Sequence, residues 1–134
     1  MKFQPDTLDG VYVVARCEPT RLWVAGHGAP VVYAHSLLVP WRGLVLAWDA
    51  TSFDGLTAAH FEQMAAFAPE VVILGTGGRL RFPAPALMRA LIERRIGVES
   101  MDNAAASRTY NVLANEGRSV LGAFLIEAAP PAAT

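Results

Sequence analysis

The spacing of apolar and polar positions changes near the middle of the chain. Up to about Trp48, short runs of β-forming residues alternate with turn residues, which is typical of an antiparallel β meander. Four segments carry this pattern: Gly10 to Cys17, Leu22 to Ala25, Val31 to Val39, and Gly43 to Trp48. We expect these strands to pair with the sheet of the second half or to pack on it.

Beyond Trp48 the spacing alternates between helical and strand periods. The strands are predicted over Val71 to Leu74, Val98 to Met101 and Val120 to Ile126. The first helix is predicted from an N-cap at Thr57 to about Phe67, and the third is capped by Asp102 and ended by Gly117. The second helix is opened by Pro85 and closed by Gly97, and its apolar stripe consists of Met88, Leu91, Ile92 and Ile96. Short links between them predict right-handed parallel crossovers. The pattern therefore indicates an α/β fold with two sheet layers and the helices on one side.

Composition narrows the class of protein. A chain of 134 residues with 53% hydrophobic and 17% charged residues fits one domain with a real core. We expect a single domain over residues 1–127 and a flexible tail over 128–134. The formal net charge of −1 predicts no nucleic-acid partner, and Cys17 is the only cysteine, so no internal disulfide is expected. No apolar run reaches the length of a membrane span, and the start lacks a signal-peptide pattern, which favours a cytoplasmic location.

The segment from Gly75 to Phe82 is the first candidate for chemistry. It follows a predicted buried strand and precedes a helix, where open α/β sheets bind ligands. Glycine backbone and the side chains of Arg79 and Arg81 there suit an anion. However, the dinucleotide fingerprint needs glycine where Leu80 stands, and the P-loop pattern is absent. A tight turn with solvated arginines is the alternative interpretation.

The second candidate is the strand-to-helix turn from Asp102 to Asn111. Asp102 is interpreted as an N-cap, although a dinucleotide fold places its ribose acid here. Arg108 is expected to pair with Glu99 or Asp102, or to face a ligand. Together, the two segments define a candidate anion-binding pocket of Gly75, Thr76, Gly77, Arg79, Asp102, Arg108, Thr109 and Asn111.

Nothing in the sequence predicts a catalytic residue, a metal or a cofactor. The three histidines, His27, His35 and His60, lack metal-ligand spacing, and Ser107 has neither a nearby histidine nor a nucleophile elbow. We therefore interpret the chain as a binding protein rather than an enzyme.

Two blocks of sequence resemble a known family. They are V-V-I-L-G-T-G at Val71 to Gly77 and G-V-E-S-M-D-N-A-A-A-S-R-T-Y-N-V-L-A-N-E-G-R-S-V at Gly97 to Val120. The segment from Tyr33 to Trp48 is similar too. The family is one of domains of unknown function whose members include an adipogenesis-associated Mth-type domain protein and a mitochondrial complex I assembly factor.

The resemblance implies a three-layer β/β/α fold and no established enzymatic activity. Members often carry threonine and cysteine where this chain has Asn103 and Ser107, so no thiol chemistry carries over. For the mitochondrial relative, the resemblance implies a role in assembling NADH dehydrogenase at the inner membrane. The leading hypothesis is thus an accessory protein that assists such assembly, with respiratory-complex subunits as partners and a cytoplasmic location peripheral to the inner membrane.

Two other functional hypotheses stay open. The first is a small-anion or nucleotide binding protein, or an enzyme, that uses the pocket between the Gly75 loop and the Asp102–Asn111 turn. Arginines converging on that pocket would favour it, whereas Arg108 paired with an internal carboxylate would oppose it. The second is a homo-oligomer in which part of the apolar surface forms an interface.

Overall fold

A computed structural model describes residues 10–26 and 28–127 of the chain. His27 and the predicted tail over residues 128–134 lie outside the described residues. The strands in this part are β1 (Val13–Glu18), β2 (Arg21–Ala25), β3 (Val31–Tyr33), β4 (Leu37–Pro40), β5 (Leu46–Ala47), β6 (Val71–Gly75), β7 (Gly97–Met101) and β8 (Val120–Phe124). The helices are α1 (Ala58–Ala65), α2 (Arg89–Glu93) and α3 (Asn103–Asn115).

The strands form two sheets. One has the order β1-β2-β3 and is antiparallel, and the other has the order β5-β4-β8-β6-β7. In the larger sheet β6, β7 and β8 are parallel, with Val71 level with both Gly97 and Val120. Strand β4 runs antiparallel to β8, with Leu37 opposite Phe124. The prediction of one strand over Val31 to Val39 is wrong, because this segment forms β3 in the small sheet and β4 in the large one. The predicted meander therefore divides: β1, β2 and β3 make a sheet of their own, and β4 and β5 extend the parallel sheet.

Alternate residues of β6 reach two separate cores, because successive strand residues point to opposite faces. Val72 and Leu74 pack with α1 and α2. Val71 and Ile73 pack with the three-stranded sheet and with Tyr110 of α3. The protein thus has three layers, namely the helices α1 and α2, the five-stranded sheet, and the small sheet together with α3. The three-layer α/β fold is confirmed.

The expectation that all helices lie on one side is wrong for α3. The chain passes through α2 from β6 to its neighbour β7, and then returns through α3 past β6 to β8. Right-handed crossovers that move in opposite directions along a sheet place their helices on opposite faces. Helix α3 therefore shares the layer of the small sheet.

The predicted helix-end signals hold for α1 and α3 but not for the end of α2. The backbone N–H of Thr57 donates to Nδ1 of His60 at 2.9 Å, which caps the start of α1 as predicted. Gly117, with φ of 82°, ends α3 as predicted. After α2, however, Arg95 rather than Gly97 adopts the left-handed conformation, with φ of 58°. Gly97 is instead the first residue of β7.

Two predicted elements are shorter than their sequence patterns. The strand predicted over Gly43 to Trp48 consists only of β5. The helix opened by Pro85 begins as a 3-10 turn, Pro85–Met88, and only then continues as the five residues of α2. Ile92, predicted as part of the apolar stripe, is 56% exposed, whereas Leu91 beside it is buried.

Candidate functional site

The loop after β6 and the start of α3 lie together at the carboxyl ends of the parallel strands. The N–H of Thr76 donates to the carbonyl oxygen of Met101 at 2.8 Å. The N–H of Asn103 donates to the carbonyl oxygen of Gly77 at 2.8 Å. The two predicted segments are therefore joined directly, backbone to backbone.

Asn103 connects these segments to a third. Its Oδ1 accepts from the N–H of Gly77 at 3.1 Å, and its Nδ2 donates to the carbonyl oxygen of Leu125, just beyond β8, at 2.7 Å. The residue is only 6% exposed, so both bonds are buried. A Cβ at Gly75 would collide with this amide and lie 3.1 Å from Cδ1 of Phe124. The space left by the missing side chain of Gly75 is thus filled by the amide of Asn103, whereas the sequence suggested that it could hold an anion.

The hydroxyl of Thr76 is also bound within the loop. Its Oγ1 donates to the carbonyl oxygen of Arg79 at 2.7 Å, with Met101 O as a second acceptor at 3.1 Å. The same Oγ1 accepts from the N–H of Arg81 at 3.1 Å. Thr76 is fully buried, so this hydroxyl stabilises the turn of the loop.

Arg81 holds the other side of the loop. Its Nη2 donates to the carbonyl oxygen of Thr76 and to Oε1 of Glu127, the latter at 2.7 Å. The guanidinium lies 4.8 Å from the ring centroid of Phe53, whose N–H donates to Oε2 of Glu127 at 2.8 Å. Burial raises the pKa of Glu127, but the hydrogen bonds from Arg81 and Phe53 outweigh it and hold that pKa below its ordinary value. Gly77 has φ of 91°, which places its backbone beside this ion pair.

Three predicted site residues serve the fold or lie beside it. Oδ1 of Asp102 accepts from the N–H of Ala105 at 2.8 Å, so the predicted N-cap is present. Oδ1 of Asn111 accepts from the N–H of Val14 at 2.8 Å, and its Nδ2 donates to Val14 O at 2.9 Å. Asn111 thereby replaces a neighbouring strand at one position of β1. Thr109 is half-buried on the same helix.

The two candidate arginines do not meet at this site. Arg79 and Arg108 are both exposed, and among the described residues neither forms an ion pair. The charge of Arg79 also lowers the pKa of Glu127, but only through its longer-range electrostatic field. Arg108 is therefore neither paired with Glu99 or Asp102 nor part of a converging cationic pocket.

A cleft of about 250 Å³ lies where the two segments meet. Its lining combines the β1–β2 turn with the glycine loop and the start of α3: Cys17, Glu18, Pro19, Gly77, Gly78, Asp102, Asn103 and Ala104. Burial raises the pKa of the Cys17 thiol and the charge of Asp102 adds to this, against an opposing hydrogen bond with Ser107. The thiol is thus protonated at neutral pH. The two carboxylates in the lining are both engaged, since Glu18 pairs with Arg16 and Arg21 and Asp102 caps α3, and no cationic side chain is among the lining residues of the described structure.

Sequence reasoning missed Asn103 and Glu127 and singled out Arg81 only as an anion donor. The sequence marks Asn103 only as a polar residue directly after the N-cap Asp102, and its burial against Gly75 is seen only in the structure. No local signal marks Glu127, since its partner Arg81 is 46 residues away. Within the described residues, no group of three or more histidine, cysteine or acidic residues is placed to hold a metal ion.

Comparison with known proteins defines the family. Residues 14–125 match the family described as protein of unknown function (DUF498/DUF598), and the chain belongs to it. A bovine protein named NADH dehydrogenase [ubiquinone] 1 alpha subcomplex assembly factor 3 is 38% identical over 92 residues, which are 67% of this chain and 48% of that protein. The chain thus spans about half the length of this relative.

Two solved structures share the fold over nearly the whole chain. The crystal structure of a Bordetella parapertussis protein has a TM-score of 0.81 and 33% identity, and covers 90% of this chain and 100% of that one. The solution structure of a Bordetella pertussis protein described as an Mth938-like domain has a TM-score of 0.79 and 28% identity, with 98% and 96% covered. As for membranes, none of the described helices is long and apolar enough to cross one.

Proposed function

We propose that this protein is a non-catalytic accessory protein that binds protein partners and assists the assembly of a respiratory NADH dehydrogenase. The observation that carries the proposal is that the polar side chains at the strand ends form hydrogen bonds within the protein. Thr76, Arg81 and Asn103 all bond to backbone or to an internal carboxylate. The position where α/β folds usually hold a ligand is therefore occupied by the protein's own contacts.

A rigid scaffold of this kind suits binding through its surface. The described surface includes nine exposed large hydrophobic residues, of which Leu44 at 76% and Phe82 at 74% are the most exposed. Such residues favour protein contacts when they lie together or beside a free strand edge. The likeness to proteins named as assembly factors supports the same role for this chain.

The proposed partners are subunits of the respiratory complex, and the proposed location is the cytoplasm, peripheral to the inner membrane. We further propose one domain over residues 1–127 that carries the binding surface. Self-association is a secondary proposal, because an accessory protein needs no second copy to contact a subunit.

Two measurements test the assembly role. Affinity capture of the tagged protein from gently solubilised native cells, read by mass spectrometry, is expected to recover NADH dehydrogenase subunits above the level of an unrelated tagged protein of equal size. Deletion of the protein is expected to lower NADH oxidation by isolated membranes and leave succinate oxidation unchanged. Unchanged amounts of assembled NADH dehydrogenase in the deletion strain would overturn the proposal.

The cleft supports an alternative, a small-anion or nucleotide binding protein. Its volume of about 250 Å³ is enough for a small ligand, and the glycines at its wall expose backbone. The carboxylate of Asp102 opposes an anion there, whereas the charge of Glu18 is balanced by ion pairs with Arg16 and Arg21. A thermal-shift screen with phosphate, sulfate and nucleotides tests this alternative: a concentration-dependent rise in melting temperature supports it, and no rise at millimolar ligand removes it.

A further inference from the structure

Strand β7 lies at the edge of the five-stranded sheet and pairs only with β6. At one end the N–H of Gly97 donates to Glu70 O at 3.4 Å, and at the other Met101 O accepts from the N–H of Thr76 at 2.8 Å. In a parallel ladder, alternate residues face the paired strand. The N–H and C=O groups of Val98 and Ser100 therefore point away from the sheet.

These four backbone groups are an open edge of the kind that accepts a further strand. In the described part of the chain, no strand lies beside them. The other edges of the two sheets are less suitable. The β1 edge is bonded at Val14 by Asn111, β3 has three residues and β5 only two. With five residues, β7 is the longest uncovered edge in the described structure.

A groove of about 310 Å³ with both apolar and polar walls lies beside this edge. It is lined by Phe82, Pro83 and Met88 from the segment before α2, and by Val98, Glu99 and Ser100 of β7. Because side chains alternate along an extended chain, a strand added at β7 would place every second side chain on the groove side. The exposed ring of Phe82 is placed to cover an apolar side chain there.

Charge decides which occupant fits. Glu99 is exposed on the opposite face of β7 from Val98, and among the described residues it has no ion-pair partner. The guanidinium of Arg118 is instead paired with Glu70 at 3.1 Å. A second copy pairing antiparallel about the centre of β7 would place two Glu99 carboxylates side by side, which is destabilising. A basic side chain of a different molecule is complementary to Glu99.

We propose that the β7 edge binds an extended segment of a partner protein, which adds to the sheet as a sixth strand. The segment places apolar side chains in the Phe82 groove and a basic side chain beside Glu99. This inference rests on the proposed function, since it names the kind of partner segment that the accessory protein recognises. Backbone hydrogen bonds supply affinity, and the alternation of apolar and basic residues supplies specificity.

The test uses the purified full chain and two synthetic seven-residue peptides, one alternating valine with lysine and one alternating valine with glutamate. Binding is followed by NMR titration and by hydrogen exchange of single amides. The valine–lysine peptide is expected to slow exchange of the Val98 and Ser100 amides by about tenfold at saturation, and to bind about tenfold more tightly than the valine–glutamate peptide. Replacing Glu99 by glutamine (Glu99→Gln) is expected to abolish this preference.

Three variants locate the site. Ser100→Pro removes an outward N–H and is expected to lose binding, whereas Ser100→Ala keeps that N–H and should bind normally. A proline in a strand can unfold the chain, so Phe82→Ser serves as a second variant. Because Phe82 is exposed, this substitution should leave the fold intact, and it is expected to weaken binding. Leu44→Ser, at a similarly exposed position far along the chain, is its matched control and should bind normally.

Several results would overturn the proposal: equal binding of the two peptides, protection at β3 or β5 instead of β7, unchanged binding by Phe82→Ser, or no binding at millimolar peptide. The peptide test needs no respiratory complex. If it fails while affinity capture recovers NADH dehydrogenase subunits, the edge is wrong and the assembly role stands. If the peptide binds and capture recovers none, the assembly role is wrong.

Discussion

Replacing Asn103 by alanine removes both side-chain hydrogen bonds through which α3 holds the glycine loop and the end of β8, and leaves only the backbone bond from Asn103 to Gly77. The N–H of Gly77 and the carbonyl oxygen of Leu125 then lose their partners at 3.1 and 2.7 Å. A buried polar group without a partner costs about 1–3 kcal/mol. Gly77 lines the cleft, where water can replace its lost partner, so one group stays unpaired and we expect Asn103→Ala to lower the free energy of unfolding by about 1–3 kcal/mol. A domain with about 5–15 kcal/mol of stability still folds after this loss.

Urea unfolding, followed by circular dichroism and tryptophan fluorescence, measures the loss. The midpoint is expected to fall while the slope of free energy against urea stays constant, because the same surface is exposed on unfolding. Asn115→Ala, at an exposed position of the same helix, is the matched control and should change the free energy by less than about 0.5 kcal/mol. A loss below about 1 kcal/mol for Asn103→Ala would mean that the buried amide does not hold the loop.

Three further predictions concern single side chains. Asn111→Ala frees the N–H and C=O of Val14, so we expect faster exchange of the Val14 amide and a loss of about 1–2 kcal/mol; unchanged exchange would contradict the edge contact. The folded-state pKa of Glu127 lies below its ordinary value of 4.5, so the folded protein binds fewer protons than the unfolded chain. The native protein should therefore be more stable than Glu127→Gln by its full margin above pH 4.5, and this margin should shrink as pH falls through the lower folded pKa. Unfolding free energies of both proteins, measured over a range of acidic pH, test this. A margin that does not change with pH would contradict it. The raised pKa of the Cys17 thiol predicts slower reaction with Ellman's reagent at pH 8 than glutathione shows, and equal rates in the folded protein would contradict it.

The second half of the fold was predictable because its signals are local. Thr57, Asp102 and Gly117 mark helix ends through contacts within a few residues, and the wholly apolar run of β6 indicates a strand buried on both faces. Family resemblance supplied the three layers. The strand order of the large sheet, in which β8 lies between β4 and β6, depends on contacts between distant parts of the chain. No local pattern predicts that order.

The candidate site shows the same limit more sharply. Sequence reasoning brought the glycine loop and the start of α3 together, and the structure does so too. The sequence did not show what the polar side chains of these two segments bind. Asn111 bonds to Val14, which is 97 residues away, and Arg81 bonds to Glu127, which is 46 residues away. Before those partners are known, each side chain is equally compatible with a ligand.

The glycines illustrate why such motifs mislead. A glycine after a strand allows close approach of a polar group to the backbone, and a phosphate oxygen uses that space in nucleotide-binding folds. Here the amide of Asn103 takes the space at Gly75, and the Arg81–Glu127 pair takes it at Gly77. The residue types needed for both arrangements are the same. They are distinguished by a buried partner on another element, and in this chain that partner comes from α3 and the end of β8. A glycine loop with its own amide and ion pair is therefore better understood as a joint between strands, and binding is to be sought at the free edge of the sheet.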